Sequence, residues 1–468
     1  MRKGVNSLNI SCKEFFNSLK NKKVTFIGLG VSHRELIKKF MECGAEITVC
    51  DKRNFEELGE IGEKLKKQGV KFNLGENYLD NLSGDIIMRT PGLNYYNKNL
   101  TEARKNGSVI TSETELFFDL CPAHVIAITG SDGKTTTATI TAEFLKNEGY
   151  NVHLGGNIGK PLLYRMDEIR PEDYVVIELS SFQLMSMRRS ADTVLITNIS
   201  PNHLDMHNSM EEYIESKYNL IYHQNAFGTA VLNADNKLSS DAEKFARGNV
   251  LYFSVKNIVE NGTYLKDNQI ILADHGKEEA VLDIDKIKIP GMHNVENYMA
   301  AICLTKGLIS KETILKVAET FSGVEHRFEF VREINGVRYY NDTMATTPTS
   351  AIAGISSSKN KMIMIAGGHD KKLPFDELAE KICEKVKVLI LMGETSEKIE
   401  NAVKKAKAFD CCGIVIEHSD NMEESVEIAK KYAVNGDMVA LCPACSSFDK
   451  YKNFAERGNH FKKVVNSL

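Results

Sequence analysis

Gly130, Ser131, Asp132, Gly133, Lys134 and Thr135 set two glycines, a cation and a hydroxyl directly after the apolar run VIAIT. Glycine lets a backbone turn tightly and bring its N–H groups close to a ligand. Lysine offers a positive charge to phosphate oxygens, and a threonine hydroxyl can ligate Mg²⁺. The following run, KTTTATITAEFLKNEG, reads as a helix stopped by Gly149. The loop would therefore sit at a helix N-terminus, where N–H groups favour an anion. The expected chemistry is nucleotide phosphate binding through Gly130, Ser131, Asp132, Gly133, Lys134, Thr135 and Thr136. The spacing is unusual: two residues, not four, separate the first glycine from the Gly-Lys pair.

Other groups with chemistry fall at the ends of apolar runs. Glu178 ends DYVVIE, where a carboxylate can hold Mg²⁺ directly or through water. His203 lies just past the next run, in TNISPNHLDMH. Open parallel sheets bind ligands beyond the carboxyl ends of their strands, so Glu178, His203 and the phosphate loop should converge on one crevice. GLGVSH at 28–33, with CDKR at 50–53, imitates a dinucleotide fingerprint, but His33 replaces its third glycine and weakens an NAD reading. CPAC at 442–445 is a C-x-x-C with no second pair for zinc; redox work and buried structural thiols both stay open at this point.

Short β-rich runs alternate with helical patterns along the chain, the pattern of α/β units with parallel sheets. The first block holds KVTFIGLG (23–30), AEITVCDK (45–52) and DIIMRTPG (85–92). The middle block holds HVIAITG (124–130), DYVVIELS (173–180), DTVLITNIS (192–200) and GTAVLNAD (228–235), closing with the helical NVENYMAAICLTKGL (294–308). The last block holds KMIMIAGG (361–368), KVLILMG (387–393), GIVIEH (413–418) and GDMVALCPA (436–444). This predicts three α/β domains over 1–118, 119–322 and 323–468.

Composition agrees with a globular chain that can bury substantial cores. Hydrophobic residues make up 42% and charged residues 26% of 468, within the ordinary soluble range. A net charge of −4 is too balanced to point to nucleic acid or a membrane surface. No apolar run approaches a membrane span, and the first residues lack the apolar core of an export signal. The ten cysteines have no regular spacing, so reduced thiols in the cytoplasm are expected.

TGSDGKTTT resembles the short glycine frame of the Mur ligase family, which includes folylpolyglutamate synthase as a relative, and this accounts for the spacing. Further motifs fall in order: GGNIG (155–159), ELSSFQL (178–184), NISPNHLD (198–205), EEYIESK (211–217), GMHNVENYMAA (291–301), HRFE (326–329), YNDTMATTP (340–348), AGGHDKKLPF (366–375) and PACSSFDKYKNFAERGNHF (443–461). The last of these, with ELSSFQL and GGNIG, is most similar to the D-glutamate-adding branch.

The resemblance implies a Rossmann-like N-terminal domain, a central P-loop ATPase-type parallel sheet and a Rossmann-like C-terminal domain. It also implies an ADP-forming ligase in peptidoglycan precursor synthesis. ATP would phosphorylate the carboxylate of UDP-N-acetylmuramoyl-L-alanine, and the amine of D-glutamate would displace phosphate. By the same resemblance Lys134, His203 and Lys217 are catalytic. Thr135, Glu178, His203 and a carbamylated Lys217 hold two Mg²⁺ ions. Asn294 and Asn297 lie near the adenine; Arg327 and Asp342 contact ATP. Ser32, Asp51, Arg53, Thr90 and Gly92 hold UDP, and Asn157 reaches the muramoyl group. Thr346, Lys371, Ser447 and Phe454 form the D-glutamate pocket, and CPAC lies on the approach to it, which argues against redox work there. Two residues depart from the family pattern: Met344 where many relatives carry lysine, and His33. A monomer with no nucleic-acid partner and no membrane insertion is expected.

Overall fold

The computed structural model describes residues 11–159, 161–201, 207–356, 358 and 360–468. Among these residues the strands form three sheets. The first contains β1 (Lys23–Ile27), β2 (Glu46–Asp51), β3 (Lys71–Leu74), β4 (Ile86–Met88) and β5 (Val109–Thr111), in the order β3-β2-β1-β4-β5. All its pairings are parallel. The chain leaves β1 toward β2 and β3, then returns to the other side of β1 for β4. The crevice beyond the carboxyl ends of β1 and β4 is thus a topological switch point.

The second sheet contains β6 (His124–Thr129), β7 (Val152–Gly156), β8 (Tyr174–Glu178), β9 (Thr193–Ile196), β10 (Thr229–Asn233), β11 (Asn249–Ser254), β12 (Asn261–Lys266), β13 (Gln269–Asp274) and β14 (Lys277–Asp283). Its order is β14-β13-β12-β11-β10-β9-β6-β8-β7, so β8 and β9 flank β6. The sheet is parallel from β7 to β12, but β12, β13 and β14 run antiparallel to one another. This antiparallel edge departs from the expected parallel sheet. The third sheet contains β15 (Glu329–Ile334), β16 (Val337–Asn341), β17 (Met362–Ala366), β18 (Val386–Met392), β19 (Val415–Ser419) and β20 (Met438–Leu441), ordered β15-β16-β20-β17-β18-β19. Only β15 pairs antiparallel here. Its switch point lies between β17 and β20.

Burial explains why these runs are strands. β9 (TVLI) and β17 (MIMIA) are buried at every position, as strands covered on both faces must be. In the third sheet the period of two is explicit. Met364, Leu389 and Leu391 point into one apolar layer, while Ile363, Ile365 and Ile390 point into the opposite one. The first two sheets share one core, running from Phe26 and Phe40 through Phe117 and Leu120 to Val125 and Ile177.

The chain accordingly separates into two compact units. One takes the chain up to Ile284 together with Glu296–Val317; the other takes Asp285–Val295 and Ala318–Leu468. Among the described residues no helix is long and apolar enough to cross a membrane.

Candidate functional site

The phosphate loop joins β6 to the helix Lys134–Glu148, whose N-cap is Gly133 at φ +80° and whose C-cap is Gly149. A Cβ on Gly133 would stand 2.6 Å from Asn297 Oδ1, and one on Gly130 would stand 1.9 Å from Thr197 Oγ1. Both positions therefore require glycine. The residues after β9 buttress the loop. Ser131 N–H donates to Asn198 O at 2.8 Å, Asp132 N–H to Asn198 Oδ1 at 3.0 Å, and Thr197 Oγ1 to Asp132 O at 2.6 Å. The backbone donors of Ser131 and Asp132 thus shape the loop itself. The N–H groups of the first helical turn, including Thr135 and Thr136, have no partner within the helix by construction and make its anion-binding end. Lys134 Nζ donates to Ser131 O at 2.8 Å.

Three of the expected groups meet beside this loop. Thr135 Oγ1 donates to Glu178 Oε2 at 2.7 Å, and Asn157 Nδ2 donates to Glu178 Oε1 at 2.9 Å. Lys217, on the helix Met210–Tyr222, is 1% exposed and donates from Nζ to Gly130 O at 2.8 Å. Its ammonium lies 4.5 Å from the centre of the Tyr213 ring, whose hydroxyl is 2.8 Å from Ser131 Oγ. Burial, with the charge of Lys134 next, brings the Lys217 amine down to about 7; Asp132 and Glu178 oppose this. His203 lies outside the described residues. Among the described residues no three His, Cys, Asp or Glu side chains cluster as metal ligands. The buried Thr135 hydroxyl and Glu178 carboxylate nevertheless put two hard oxygen donors side by side, which suits Mg²⁺ completed by phosphate oxygens and water.

Gly156 fixes this geometry. It has φ +93°, and a Cβ there would stand 2.1 Å from Glu178 O. Gly156→Ala is expected to destabilise the protein by about 2–3 kcal/mol through overpacking and a strained backbone, read as a lowered midpoint in denaturant unfolding.

At the first sheet's switch point, the expected UDP residues gather. Asp51 ends β2, and its carboxylate accepts from Leu29 N–H at 2.7 Å and from Arg53 Nη2 at 2.7 Å. Burial would raise its pKa, but Arg53 and the Leu29 N–H hold it down at about 2. Thr90 follows β4 and faces Gly28, whose Cβ position is 3.6 Å from Thr90 Cβ. Gly92 is exposed in the same loop. Ser32, His33, Arg89, Glu113, Asn157, Ser180 and Gln183 are among the walls of a cavity of about 270 Å³. His33 is buried, donates from Nδ1 to Gly28 O at 2.8 Å, and packs edge-on against Phe26. Burial pushes its pKa down. His33 Nε2 and Arg89 Nε have no hydrogen-bond partner among the described residues. A cavity walled by Ser32, Arg89, Glu113, Asn157, Ser180 and Gln183 suits a polar ligand.

In the second unit, Asp342, Thr346, Lys371 and Ser447 all follow the carboxyl ends of β16, β17 and β20. Lys371 Nζ donates to Thr346 O at 3.1 Å. Ser447 is buried, and Phe454 is 39% exposed. Asp342 accepts from Phe328 N–H at 3.1 Å and from Cys442 Sγ at 3.6 Å. Burial raises its pKa to about 7 against the pull of the Phe328 N–H and Arg327. Arg327 is exposed, and Asn294 Nδ2 donates to Pro290 O at 2.6 Å. In the first unit, Asn297 accepts from Thr137 Oγ1 at 3.0 Å. Met344 is half-buried, its N–H bonded to His326 O. The thiols of Cys442 and Cys445 are both buried and pushed upward by burial.

Sequence reasoning missed several participants. Tyr213, Thr197, Asn198 and Arg89 touch the site through contacts between distant positions. Arg89 carried a signal: a cation directly after the buried strand β4, in DIIMRTPG.

Comparison with known proteins follows the same lines. The model of the Mur ligase middle domain matches residues 128–305, and that of the Mur ligase glutamate ligase domain matches 326–445. A UDP-N-acetylmuramoylalanine--D-glutamate ligase of Acetivibrio thermocellus is 47% identical over 464 residues, covering 98% of this chain and 100% of the relative. The enzyme of that name from Clostridium acetobutylicum is 47% identical over 459 residues, covering 97% and 98%. Among solved structures, a UDP-N-acetylmuramate-alanine ligase of Thermotoga maritima superposes with a TM-score of 0.58 at 19% identity, over 96% of this chain and 100% of the other. That likeness is one of fold. The chain belongs to the Mur ligase family, with UDP-N-acetylmuramoylalanine--D-glutamate ligases as near relatives.

Proposed function

We propose that the chain is an ATP-dependent ligase that joins D-glutamate to UDP-N-acetylmuramoyl-L-alanine, releasing ADP and phosphate in peptidoglycan precursor synthesis. The observation that carries this reading is 47% identity with a ligase of that name across 98% of the chain. The L-alanyl carboxylate would attack the γ-phosphorus of ATP and form an acyl phosphate. The amine of D-glutamate would then add to the activated carbonyl, and collapse of the tetrahedral adduct would expel phosphate and leave an amide.

The protein's part is to bring three anions together and screen their repulsion. Lys134 and the helix N-terminus behind it would hold the transferring phosphate. Thr135, Glu178, His203 and a carbamylated Lys217 would hold Mg²⁺ at two sites. Bound there, Mg²⁺ supplies charge neutralisation at the phosphate oxygens. Asn294, Asn297, Arg327 and Asp342 would receive the nucleoside and phosphates of ATP. Ser32, Asp51, Arg53, Thr90, Gly92 and Asn157 would receive the UDP-muramoyl substrate, for which the cavity beside His33 and Arg89 gives support. Thr346, Lys371, Ser447 and Phe454 would receive D-glutamate, with Lys371 pairing a carboxylate. The same reading divides the chain into domains at 118 and 322, each served by one of the three sheets, and has it act as a cytoplasmic monomer.

Phosphate release tests the reading. It should require ATP, UDP-N-acetylmuramoyl-L-alanine and D-glutamate together. Stimulation by another amino acid and not by D-glutamate would reject it. ATP binding with no amide in the product mass spectrum would favour a nucleotide-binding regulatory role.

A further inference from the structure

Arg457 lies on the helix Phe454–Asn466, within PACSSFDKYKNFAERGNHF, and has no part in the reading above. It is 1% exposed. Its guanidinium makes four hydrogen bonds, all to uncharged oxygens. Nε donates to Thr343 Oγ1 at 2.9 Å and Nη2 to Thr343 O at 3.1 Å. Nη2 also donates to Cys445 O at 3.0 Å, and Nη1 to Ser446 O at 3.3 Å. One planar cation thus binds the loop after β16 to the loop after β20.

The loop after β17 closes against the same group. A Cβ on Gly368, at φ +147°, would stand 2.3 Å from Ser446 O and 3.1 Å from Arg457 Nη1. His369 N–H donates to Ser446 O at 2.9 Å. The three loops fastened here carry Thr346, Lys371 and Ser447. Thr343 is three residues before Thr346, Gly368 three before Lys371, and Ser446 is next to Ser447. Thr343 Oγ1 in turn donates to Phe454 O at 3.1 Å, tying in the fourth residue of the set.

We infer that Arg457 is a positioning residue for the amino-acid substrate: its buried guanidinium sets the spacing of the three loops and lends positive potential to a pocket that takes a dicarboxylate. The inference rests on the D-glutamate reading. Lysine cannot reproduce it, because an ammonium offers no planar fork to three carbonyls on two loops. The carbonyl dipoles point their negative ends at the cation, and its charge is not cancelled by an ion pair with any described carboxylate within bonding distance.

The test compares Michaelis constants in the full-length protein. Arg457→Lys should raise KM for D-glutamate by about tenfold or more, from the loss of charged hydrogen bonds. KM for UDP-N-acetylmuramoyl-L-alanine should stay within about twofold. Arg457→Ala should show the same split, and added guanidinium ion should lower its D-glutamate KM. Thr343→Val, which removes one acceptor of Arg457 and the donor to Phe454 O while leaving the guanidinium in place, gives a milder variant if the arginine variants do not fold, and should raise KM for D-glutamate selectively. An equal rise in both constants, or lowered thermal stability with an unchanged D-glutamate KM, would overturn the inference. Absence of D-glutamate dependence in the unmodified protein would instead reject the functional reading on which it rests.

Discussion

Lys134→Ala is expected to lower kcat by about 10²–10³-fold or more, the usual cost of removing a preorganised group that stabilises developing charge. Lys134 opens the helix proposed to receive the phosphates, and its ammonium bonds to Ser131 O, inside the loop. In phosphoryl transfer the protein works almost wholly by placing charge around the moving group. Alanine keeps the glycine frame, because neither Gly130 nor Gly133 is touched and alanine favours a helix. The fold should therefore persist while turnover is lost. A phosphate-release assay reads the activity, and unfolding curves read the stability. Lys134→Arg should recover only part of the rate, since a longer planar fork cannot occupy a point-charge site of the same shape. Near-normal turnover of Lys134→Ala would show that the helix N-terminus suffices and that the lysine is dispensable.

The phosphate loop was legible because its parts are contiguous. A buried strand, two glycines, a cation and a capped helix lie within one stretch, and the fold keeps them in that order. Glu178 was legible because a strand end in a parallel sheet is a functional edge. Arg457, Tyr213 and Asn198 were not legible by themselves, because their meaning depends on strand order. Residues 343 and 457 meet only once β16, β17 and β20 lie side by side. The antiparallel edge of the second sheet did carry a local signal. Asp267 and Asn268, at φ +48° and +61°, form a two-residue turn between β12 and β13, and His275 and Gly276, at +48° and +90°, form another before β14. Such turns match the twist of hairpins, but a chain read for parallel units does not invite a search for them. Lys217 is the opposite case. Its sequence context reads as a solvated helix lysine, and only the packing of Tyr213 and the phosphate loop around it shows that it is buried.

That burial carries the second large effect. Lys217→Ala is expected to lower turnover by roughly 10²-fold or more, by analogy with the loss of a preorganised electrostatic group. Carbon dioxide reacts with a neutral amine, forming a carbamate and releasing a proton. An ordinary lysine is almost wholly protonated at neutral pH, whereas this amine, at about 7, is neutral in a substantial fraction. The sign follows from the lowered pKa: protonation is disfavoured in the fold, so the neutral form gains as pH rises through about 7, and carbamylation gains with it. Below that value the buried ammonium costs stability, and the cost is relieved between about 7 and the unfolded value near 10.4. The carbamate would exchange a cation for an oxygen donor within the electrostatic reach of Glu178, where the proposed Mg²⁺ would take one. Short carboxylates such as formate or acetate should partly restore turnover in Lys217→Ala, and depletion of carbon dioxide should slow the unmodified protein reversibly. Rescue by methylammonium and not by carboxylates would assign Lys217 a cationic role, as the donor to Gly130 O that holds the phosphate loop in place.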